Sequence, residues 1–239
     1  MRVKAVLFDL FDTLLLLEKH EAYYAPSLKK LHEFLSNNGI DVSFENFKQV
    51  YFEVRDKFYS ESRESLEEPH FNLRISQTLQ RLGYNFDASD PLVVGSTEAF
   101  SDEFMRYVSL DEDALDVLQK LYGKYKLGMI SNFAIPECCW KLLEKFDLNK
   151  FFDVVLISGE INRRKPSAEV FEKALKTLGV KASNAVFVGD MLDLDVAGPK
   201  SVEMKTIFIK RRPMEENADV IPDKVISRLS ELLVVLEDC

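Results

Sequence analysis

The chain has 239 residues, 46% of them hydrophobic and 30% charged, which is the composition of a soluble globular protein able to bury a substantial core. Its net charge of -9 argues against a nucleic-acid partner, because an acidic surface repels phosphate. Asp9 and Asp12 interrupt the first apolar run, so neither a signal peptide nor a membrane span is predicted there.

Five short apolar runs predict the strands of a parallel sheet buried on both faces, because they are nearly continuous rather than alternating. These runs cover residues 4–9, 126–131, 153–158, 185–190 and 205–209. Helical segments separate the last four: Pro136 begins one, and another ends at Gly179. A C-terminal stretch from Ile226 to Leu236 also has helical spacing. We therefore predict a doubly wound, Rossmann-like α/β core.

The region between the first predicted strand and the others has a different pattern. Apolar residues recur at spacings of three and four in four segments, and no strand is predicted among them. The four segments cover residues 23–38, 44–59, 71–82 and 91–108. A single strand is not stable alone, so the first one must join the later sheet. We predict an α/β catalytic core of residues 1–14 and 106–239, with an all-helical cap domain inserted at residues 15–105.

Three of the predicted strands end in polar residues that a sheet does not need: Asp9, Ser131 and Asp190. In an open α/β sheet, ligands bind outside the carboxyl ends of the strands, so these side chains should meet in one crevice. Asn132 follows Ser131 directly, and Lys165 stands before a proline and a helix in the stretch "NRRKPS". The sequence thus predicts carboxylates, a hydroxyl and a lysine at one edge of the sheet.

Carboxylates that share a crevice repel one another unless a cation lies between them. Oxygen ligands suit Mg²⁺, which often binds phosphate groups as well. A lysine adds a fixed positive charge, and a serine hydroxyl adds a hydrogen-bond donor. Such a set of groups is suited to an anion whose charge shifts during a reaction, with one carboxylate able to attack it.

The stretches "FDLFDT", "ISN", "RRKPS" and "VGDMLDLD" occur in this order along the chain. Together they resemble the four motifs of the haloacid dehalogenase-like hydrolase superfamily, in the members that carry a helical cap after the first strand. The resemblance covers the whole chain. It implies that Asp9 is the nucleophile, that Ser131 and Lys165 hold the transferred group, and that the region of Asn132 helps to bind its oxygens.

The same resemblance implies a Mg²⁺ site. Asp190 would bind the metal together with Asp9, and the backbone carbonyl of Phe11 would be a further ligand. Asp195 matches a supporting acid in this site.

The chain departs from the family's phosphatases at Phe11, where those enzymes normally have a second aspartate that protonates the leaving oxygen. Asp12 occupies the next position, where side chains vary widely, so the role is not transferred to it. Loss of a general acid slows the hydrolysis of poor leaving groups by about a hundredfold to ten-thousandfold. Good leaving groups, such as an aryl phosphate, are affected less.

The leading hypothesis is a Mg²⁺-dependent hydrolase of small phosphate monoesters that forms an aspartyl-phosphate on Asp9. A second is a metal-independent dehalogenase, because an aromatic residue at Phe11 also resembles the 2-haloacid dehalogenases. Those enzymes, however, lack the "GD" of the fourth motif. They also have an arginine early in the cap, whereas the first arginine in the cap of this chain, Arg55, comes late. A third is a phosphate-binding or regulatory protein with low turnover.

The partner is predicted to be a small phosphorylated or other small anionic substrate, with no nucleic acid and no membrane. The three cysteines, Cys138, Cys139 and Cys239, form neither a disulfide framework nor a metal pattern. This usage favours a reducing compartment, and we predict a cytoplasmic location.

Overall fold

The structure is a computed structural model that describes residues 3–211 and 220–237. The strands are β1 (Ala5–Phe8), β2 (Leu15–Leu17), β3 (Val108–Leu110), β4 (Lys126–Ser131), β5 (Val154–Ile157), β6 (Ala185–Gly189), β7 (Lys205–Ile209) and β8 (Lys224–Ile226). Six of them form one parallel sheet in the order β5-β4-β1-β6-β7-β8. The other two, β2 and β3, form an antiparallel ribbon.

The helices fall into an inserted group and a core group. The inserted group is α1 (His20–Asn37), α2 (Phe44–Ser65), α3 (Phe71–Arg81) and α4 (Pro91–Phe104). The core group is α5 (Ala114–Leu121), α6 (Pro136–Lys145), α7 (Ser158–Ile161), α8 (Ala168–Leu178), α9 (Gly198–Ser201) and α10 (Leu232–Glu237). None of the described helices is long and apolar enough to cross a membrane.

Both faces of the sheet are buried, as the continuous apolar runs predict. Successive side chains of a strand point to opposite faces, so β1 serves two layers. Val6 and Phe8 belong to the large cluster that extends into the inserted helices, whereas Ala5 and Leu7 pack in a second cluster with residues of α8. The predicted doubly wound parallel-sheet core with an inserted group of helices is confirmed.

All five predicted strands are present, each within one residue of the predicted ends. The sequence prediction omits β2, β3 and β8, which have three residues each and depend on a partner strand for their hydrogen bonds. The predicted absence of strands from residues 15–105 is therefore wrong at β2.

The C-terminal prediction also needs a correction. The spacing predicts a helix at Ile226, but this residue lies in β8 and pairs with Ile209 of β7. The helix α10 begins only at Leu232, after a short turn of 3₁₀ helix. Ile226 and Leu229 are both buried against the core, as a helix with this spacing and a short edge strand would each predict. The apolar spacing therefore does not distinguish a helix from a strand here.

The first strand lies at the centre of the sheet, between β4 and β6, as its need for partners predicts. The four inserted helices thus follow β1 in sequence and return to the core through β3. The start of α4 agrees with the sequence, in which Pro91 after Asp90 predicts the beginning of a helix. The Asp90 carboxylate accepts a hydrogen bond from Leu92 N at 2.9 Å, and Pro91 occupies the first position of α4.

Arg211 connects the β2–β3 ribbon to the core through hydrogen bonds. Its guanidinium donates to the backbone oxygens of Asp12 and Thr13, each at 3.1 Å, and to the Asp111 carboxylate at 2.6 Å. Asp111 directly follows β3 and is buried. The insertion is therefore held at its base by charged hydrogen bonds from one side chain.

Replacing Arg211 with methionine should lower the free energy of unfolding by about 2–4 kcal/mol, because the buried Asp111 loses its charged partner. Urea denaturation measures this change. Lys210→Met is the matched control, since Lys210 is the exposed neighbour of Arg211, and its effect should stay within about 0.5 kcal/mol. Equal stability of the two variants would contradict the role given to Arg211.

Candidate active site

The carboxyl ends of three adjacent strands bring the predicted polar residues to one edge of the sheet. Asp9 follows β1, Ser131 ends β4, and Asp190 follows β6, and β1 pairs with both neighbours. Asp9, Asp190 and Asp195 each place a carboxylate oxygen within 4.8 Å of the others. Residues far apart in the sequence thus meet because parallel strands end at the same edge.

Lys165 is the cation at the centre of this cluster. Its side chain is 1% exposed, and Nζ donates to Asp9 Oδ1 at 2.6 Å and to Asp195 Oδ1 at 2.7 Å. The ring of Phe187 lies 5.1 Å from Nζ on a further side. Burial by itself would lower the pKa of Lys165, but Asp195 and Asp9 raise it above its usual value, so the ammonium stays charged.

The cluster carries more negative than positive charge. Burial is the main cause that raises the pKa of Asp9 to about 6; the Asp195 charge adds to the rise, and Lys165 opposes it. With three carboxylates around one lysine, a divalent cation would remove the remaining repulsion. The oxygen donors of Asp9 and Asp190 therefore fit Mg²⁺.

Asp195 is fixed on both of its oxygens. Lys165 donates to Oδ1, and the backbone N–H of Met191 donates to Oδ2 at 3.0 Å. A side chain on Gly189 would lie 2.4 Å from Asp195 Cγ, so the close approach to the end of β6 requires glycine. This arrangement suits a supporting acid that holds Lys165, in line with the role that the resemblance implies.

Asn132 uses both ends of its amide on the backbone of Lys165. Its Nδ2 donates to the Lys165 carbonyl at 2.9 Å, and its Oδ1 accepts from the Lys165 N–H at 2.8 Å. The sequence predicts that the region of Asn132 binds the transferred group, whereas in the structure both ends of the Asn132 amide are used by the Lys165 backbone. The Asn132 side chain positions the lysine, and this contact joins the end of β4 to the loop before α8.

Ser131 is buried, and its hydroxyl makes no hydrogen bond within the described part of the chain. The structure therefore does not join it directly to Asp9 or Lys165. A buried hydroxyl without a partner is costly unless a ligand or water satisfies it. Its place at the end of β4, beside β1, is consistent with a donor for a bound anion.

The residues after Asp9 have distinct roles in the structure. The Phe11 ring packs against Phe133 at 5.0 Å and against Phe104 of α4 at 5.9 Å between ring centres. The Asp12 carboxylate accepts from the backbone N–H of Leu17 at 3.2 Å, so this side chain has a local structural role. The Phe11 position is therefore apolar and offers no proton.

A cavity of about 600 Å³ lies between the core and the inserted helices. Its core side includes Asn132, Phe133 and Lys165, and its helical side includes Tyr23 and Tyr24. A volume of this size is typical of small-molecule sites. Lys165, whose Nζ contacts Asp9, is therefore one of the residues that line the cavity.

The inserted helices are docked on the core beside this cavity. The segment between α2 and α3 carries Glu68, which accepts a hydrogen bond from the Ser158 hydroxyl and lies 3.7 Å from Arg164. The backbone N–H of Phe71 donates to the Ala134 carbonyl at 2.8 Å. These contacts join the insertion to the loop that follows β4, to the start of α7 and to the loop that follows α7.

The structure adds residues to which the sequence analysis gave no role. Thr13, which is fully buried, donates to Asp9 Oδ2 at 3.3 Å. Glu68 reaches the core only through the fold, and no local pattern points to it. Arg74 had a signal, because it stands on the apolar face of α3 with Phe71 and Ile75, where a charged residue is unusual.

Comparison with known proteins defines the class of this chain. The family model for haloacid dehalogenase-like hydrolases matches residues 3–202. The chain belongs to this family, and it is a hydrolase.

Among its relatives, the glyceraldehyde 3-phosphate phosphatase of Methanopyrus kandleri is 33% identical over 99% of this chain and 98% of its own length. The ribulose-1,5-bisphosphate 5-phosphatase of Halopiger xanaduensis is 28% identical, with 89% and 86% covered. The crystal structure of a 2-haloacid dehalogenase from Pseudomonas syringae superposes with a TM-score of 0.75, at 26% identity over 99% of both chains.

Replacing Lys165 with methionine in EDTA should destabilise the protein by about 3–5 kcal/mol at pH 8, because Asp9 and Asp195 become buried carboxylates without a cation. The loss should be smaller at pH 5. The pKa of Asp9 is raised in the folded state, so the folded protein loses stability as the pH rises through that pKa and Asp9 becomes charged. Protonation of Asp9 at low pH therefore relieves the repulsion between the carboxylates.

Urea denaturation at the two pH values measures this effect. Lys173→Met, which removes an exposed lysine from α8, is the control and should change stability by at most about 0.5 kcal/mol at both. A loss in Lys165→Met that does not depend on pH would show that unpaired carboxylates are not its cause.

Proposed function

We propose that the protein is a Mg²⁺-dependent hydrolase of small phosphate monoesters that works through an aspartyl-phosphate on Asp9. The observation that carries this proposal is the Lys165 ammonium, which contacts both Asp9 and Asp195 beneath a cavity of small-molecule size. Two relatives that are named as phosphatases of small phosphorylated compounds give further support.

In the first step, an Asp9 carboxylate oxygen attacks phosphorus, the bond between phosphorus and the ester oxygen breaks, and the leaving oxygen takes a proton from solvent, because Phe11 has none to give. Water then attacks the phosphorus of the aspartyl-phosphate and loses a proton to solvent, which releases phosphate and restores the Asp9 carboxylate. An ammonium has three N–H donors, and Lys165 directs two of them at Asp9 and Asp195. The third donor remains for a phosphoryl oxygen, and the Ser131 hydroxyl supplies another.

Mg²⁺ would be held by Asp9, Asp190 and the Phe11 backbone carbonyl, with Asp195 in support through Lys165. When bound, the metal would offset the negative charge of the carboxylates and of the transferred phosphoryl group. Asn132 and Thr13 act on the protein's own groups: the first fixes the Lys165 backbone, and the second orients Asp9.

We propose that residues 15–105 form a cap that excludes water from the cavity. Phe104 of α4 supports this role, because it contacts the Phe11 ring next to Asp9. An apolar surface beside the nucleophile limits bulk water around the bound substrate and strengthens the charge interactions within the site. The substrate we propose is a small phosphorylated compound in the cytoplasm, with neither nucleic acid nor membrane involved.

A metal-independent 2-haloacid dehalogenase is the second candidate. The apolar environment of Phe11 favours it, since halide leaves without a proton, and so does the similarity to the Pseudomonas syringae dehalogenase. The first arginine of the insertion, Arg55, does not support it, because Arg55 pairs with Asp56 at 2.7 Å and is not among the residues that line the cavity. A low-turnover phosphate-binding protein is the third candidate.

The first assay measures p-nitrophenyl phosphate hydrolysis with Mg²⁺ and with EDTA, next to chloride release from 2-chloropropionate. Phosphate release should require Mg²⁺ and should fall at least about a thousandfold in Asp9→Asn, because the amide cannot attack phosphorus. Asp12→Asn is the matched control; its side-chain oxygen can still accept from Leu17, and its rate should stay within about threefold.

Chloride release that is insensitive to EDTA would support the dehalogenase instead. Phosphate binding without either reaction would support the third candidate. A phosphatase rate that survives in Asp9→Asn would exclude Asp9 as the nucleophile.

The second assay concerns the missing proton donor. Phe11→Asp should raise the rate on an alkyl phosphate relative to p-nitrophenyl phosphate by at least about tenfold, because only the poor leaving group needs a proton. The ratio of the two rates cancels any general loss of folded protein. Phe11→Asn has a similar volume without the proton and should leave the ratio unchanged. An equal change in both variants would argue against a proton-transfer effect.

A further inference from the structure

Arg74 is a buried cation in the wall of the cavity. It lies on α3, is 7% exposed, and lines the same cavity as Lys165. Charged side chains are rarely buried to this degree unless they are paired. The partners of Arg74 therefore decide whether its role is structural or whether it awaits a ligand.

The interactions of Arg74 within the protein are weak, and the groups that it contacts are uncharged. Nη1 donates to the Tyr51 hydroxyl at 3.4 Å, and the rings of Tyr59 and Phe71 lie 5.0 and 5.1 Å from the guanidinium carbon. Nε is buried and has no hydrogen-bond partner among the described residues. Aromatic faces offset part of a positive charge, but they leave most of the five N–H donors of a guanidinium unused.

The other partly buried arginines are paired differently. Each has a carboxylate oxygen between 2.6 and 3.7 Å from a guanidinium nitrogen. These arginines are Arg55, Arg163, Arg164 and Arg211. Within residues 3–211 and 220–237, no ion pair is formed by Arg74. These four partly buried arginines thus each have a carboxylate partner, whereas Arg74, the most buried of the described arginines, has none.

The acidic groups of the cavity wall do not supply this anion. Glu68 is engaged by Ser158 and Arg164, and Asp193 is exposed on the core side of the cavity. The hydroxyl of Tyr51, which accepts from Arg74, is itself 2.7 Å from the hydroxyl of Tyr24. Arg74 is therefore surrounded by neutral rings and hydroxyls, which hold its guanidinium in place without neutralising it.

We propose that Arg74 binds a second anionic group, a carboxylate or a phosphate, at the far end of the phosphorylated substrate. This inference rests on the proposed function, which places the scissile phosphate at Asp9 and Lys165. The cavity would then hold the ligand between two buried cations, one on the core and one on an inserted helix. A planar guanidinium suits this task, because it can donate two parallel hydrogen bonds to one carboxylate or phosphate.

A pair of ligands that differ in one group tests the proposal. 3-Phosphoglycerate has a carboxylate where glycerol 3-phosphate has a hydroxymethyl group. Calorimetric titration with Mg²⁺ in the Asp9→Asn background measures both affinities without turnover. We expect a preference for 3-phosphoglycerate of about tenfold to a hundredfold, which is the usual size of a charged hydrogen bond.

Arg74→Met in the same background should abolish this preference and leave the affinity for glycerol 3-phosphate within about threefold. Arg74→Lys, which keeps the charge without the planar fork, should retain part of the preference. The matched control is Arg81→Met on the same helix, because Arg81 is exposed and pairs with Glu53 at 3.5 Å. This control should retain the full preference.

Unchanged binding of glycerol 3-phosphate would show that Arg74→Met is folded. Equal affinities for the two ligands before the substitution, no binding of either, or a preference that survives Arg74→Met would each overturn the inference. The proposed function has a separate readout in the hydrolysis of p-nitrophenyl phosphate, which has no second anion. If that hydrolysis is absent while the Arg74-dependent preference is present, the proposed reaction fails and the anion site stands.

Discussion

The structure depends on one buried ammonium shared by two carboxylates. Lys165 brings together the end of β1, where Asp9 lies, and the π-helical segment Leu192–Ala197 after β6, where Asp195 lies. Buried like charges would repel the two segments, so the position of the lysine is a condition for closing this edge of the sheet. The same three groups are the ones that the proposed reaction needs. Stability and chemistry are therefore joined at a single cation.

Several contacts have the task of keeping this cation in place. Asn132 fixes the Lys165 backbone through two hydrogen bonds, and the Met191 N–H fixes the far oxygen of Asp195. Gly189 allows the carboxylate to approach β6. A site held this firmly loses little energy to reorganisation when charge develops on a bound phosphoryl group. What looks in sequence like a set of separate motifs is physically one hydrogen-bonded unit.

The inserted helices contribute a second environment of a different kind. Near Phe11 they offer aromatic rings, and near Arg74 they offer a buried positive charge among neutral groups. In the proposed function, the apolar part would limit the access of water to Asp9, whereas the charged part would bind the second anionic group of the ligand. Because both parts lie on elements outside the sheet, ligand selection can differ between members of the family while the core chemistry is kept.

The sequence by itself determined five of the six sheet strands, the inserted helices and the set of residues at the strand ends, because these follow from local periodicity and from the rule that parallel strands end at one edge. Only the tertiary structure decided what those residues touch. In the structure, the Asn132 amide forms hydrogen bonds with the Lys165 backbone, Glu68 accepts a hydrogen bond from Ser158, and Arg74 has no anionic partner among the described residues. These contacts join positions that are far apart in the chain, and short strands such as β8 likewise exist only through their partners. Local pattern carries no information on such pairings, because their energy comes from neighbours that folding alone brings together.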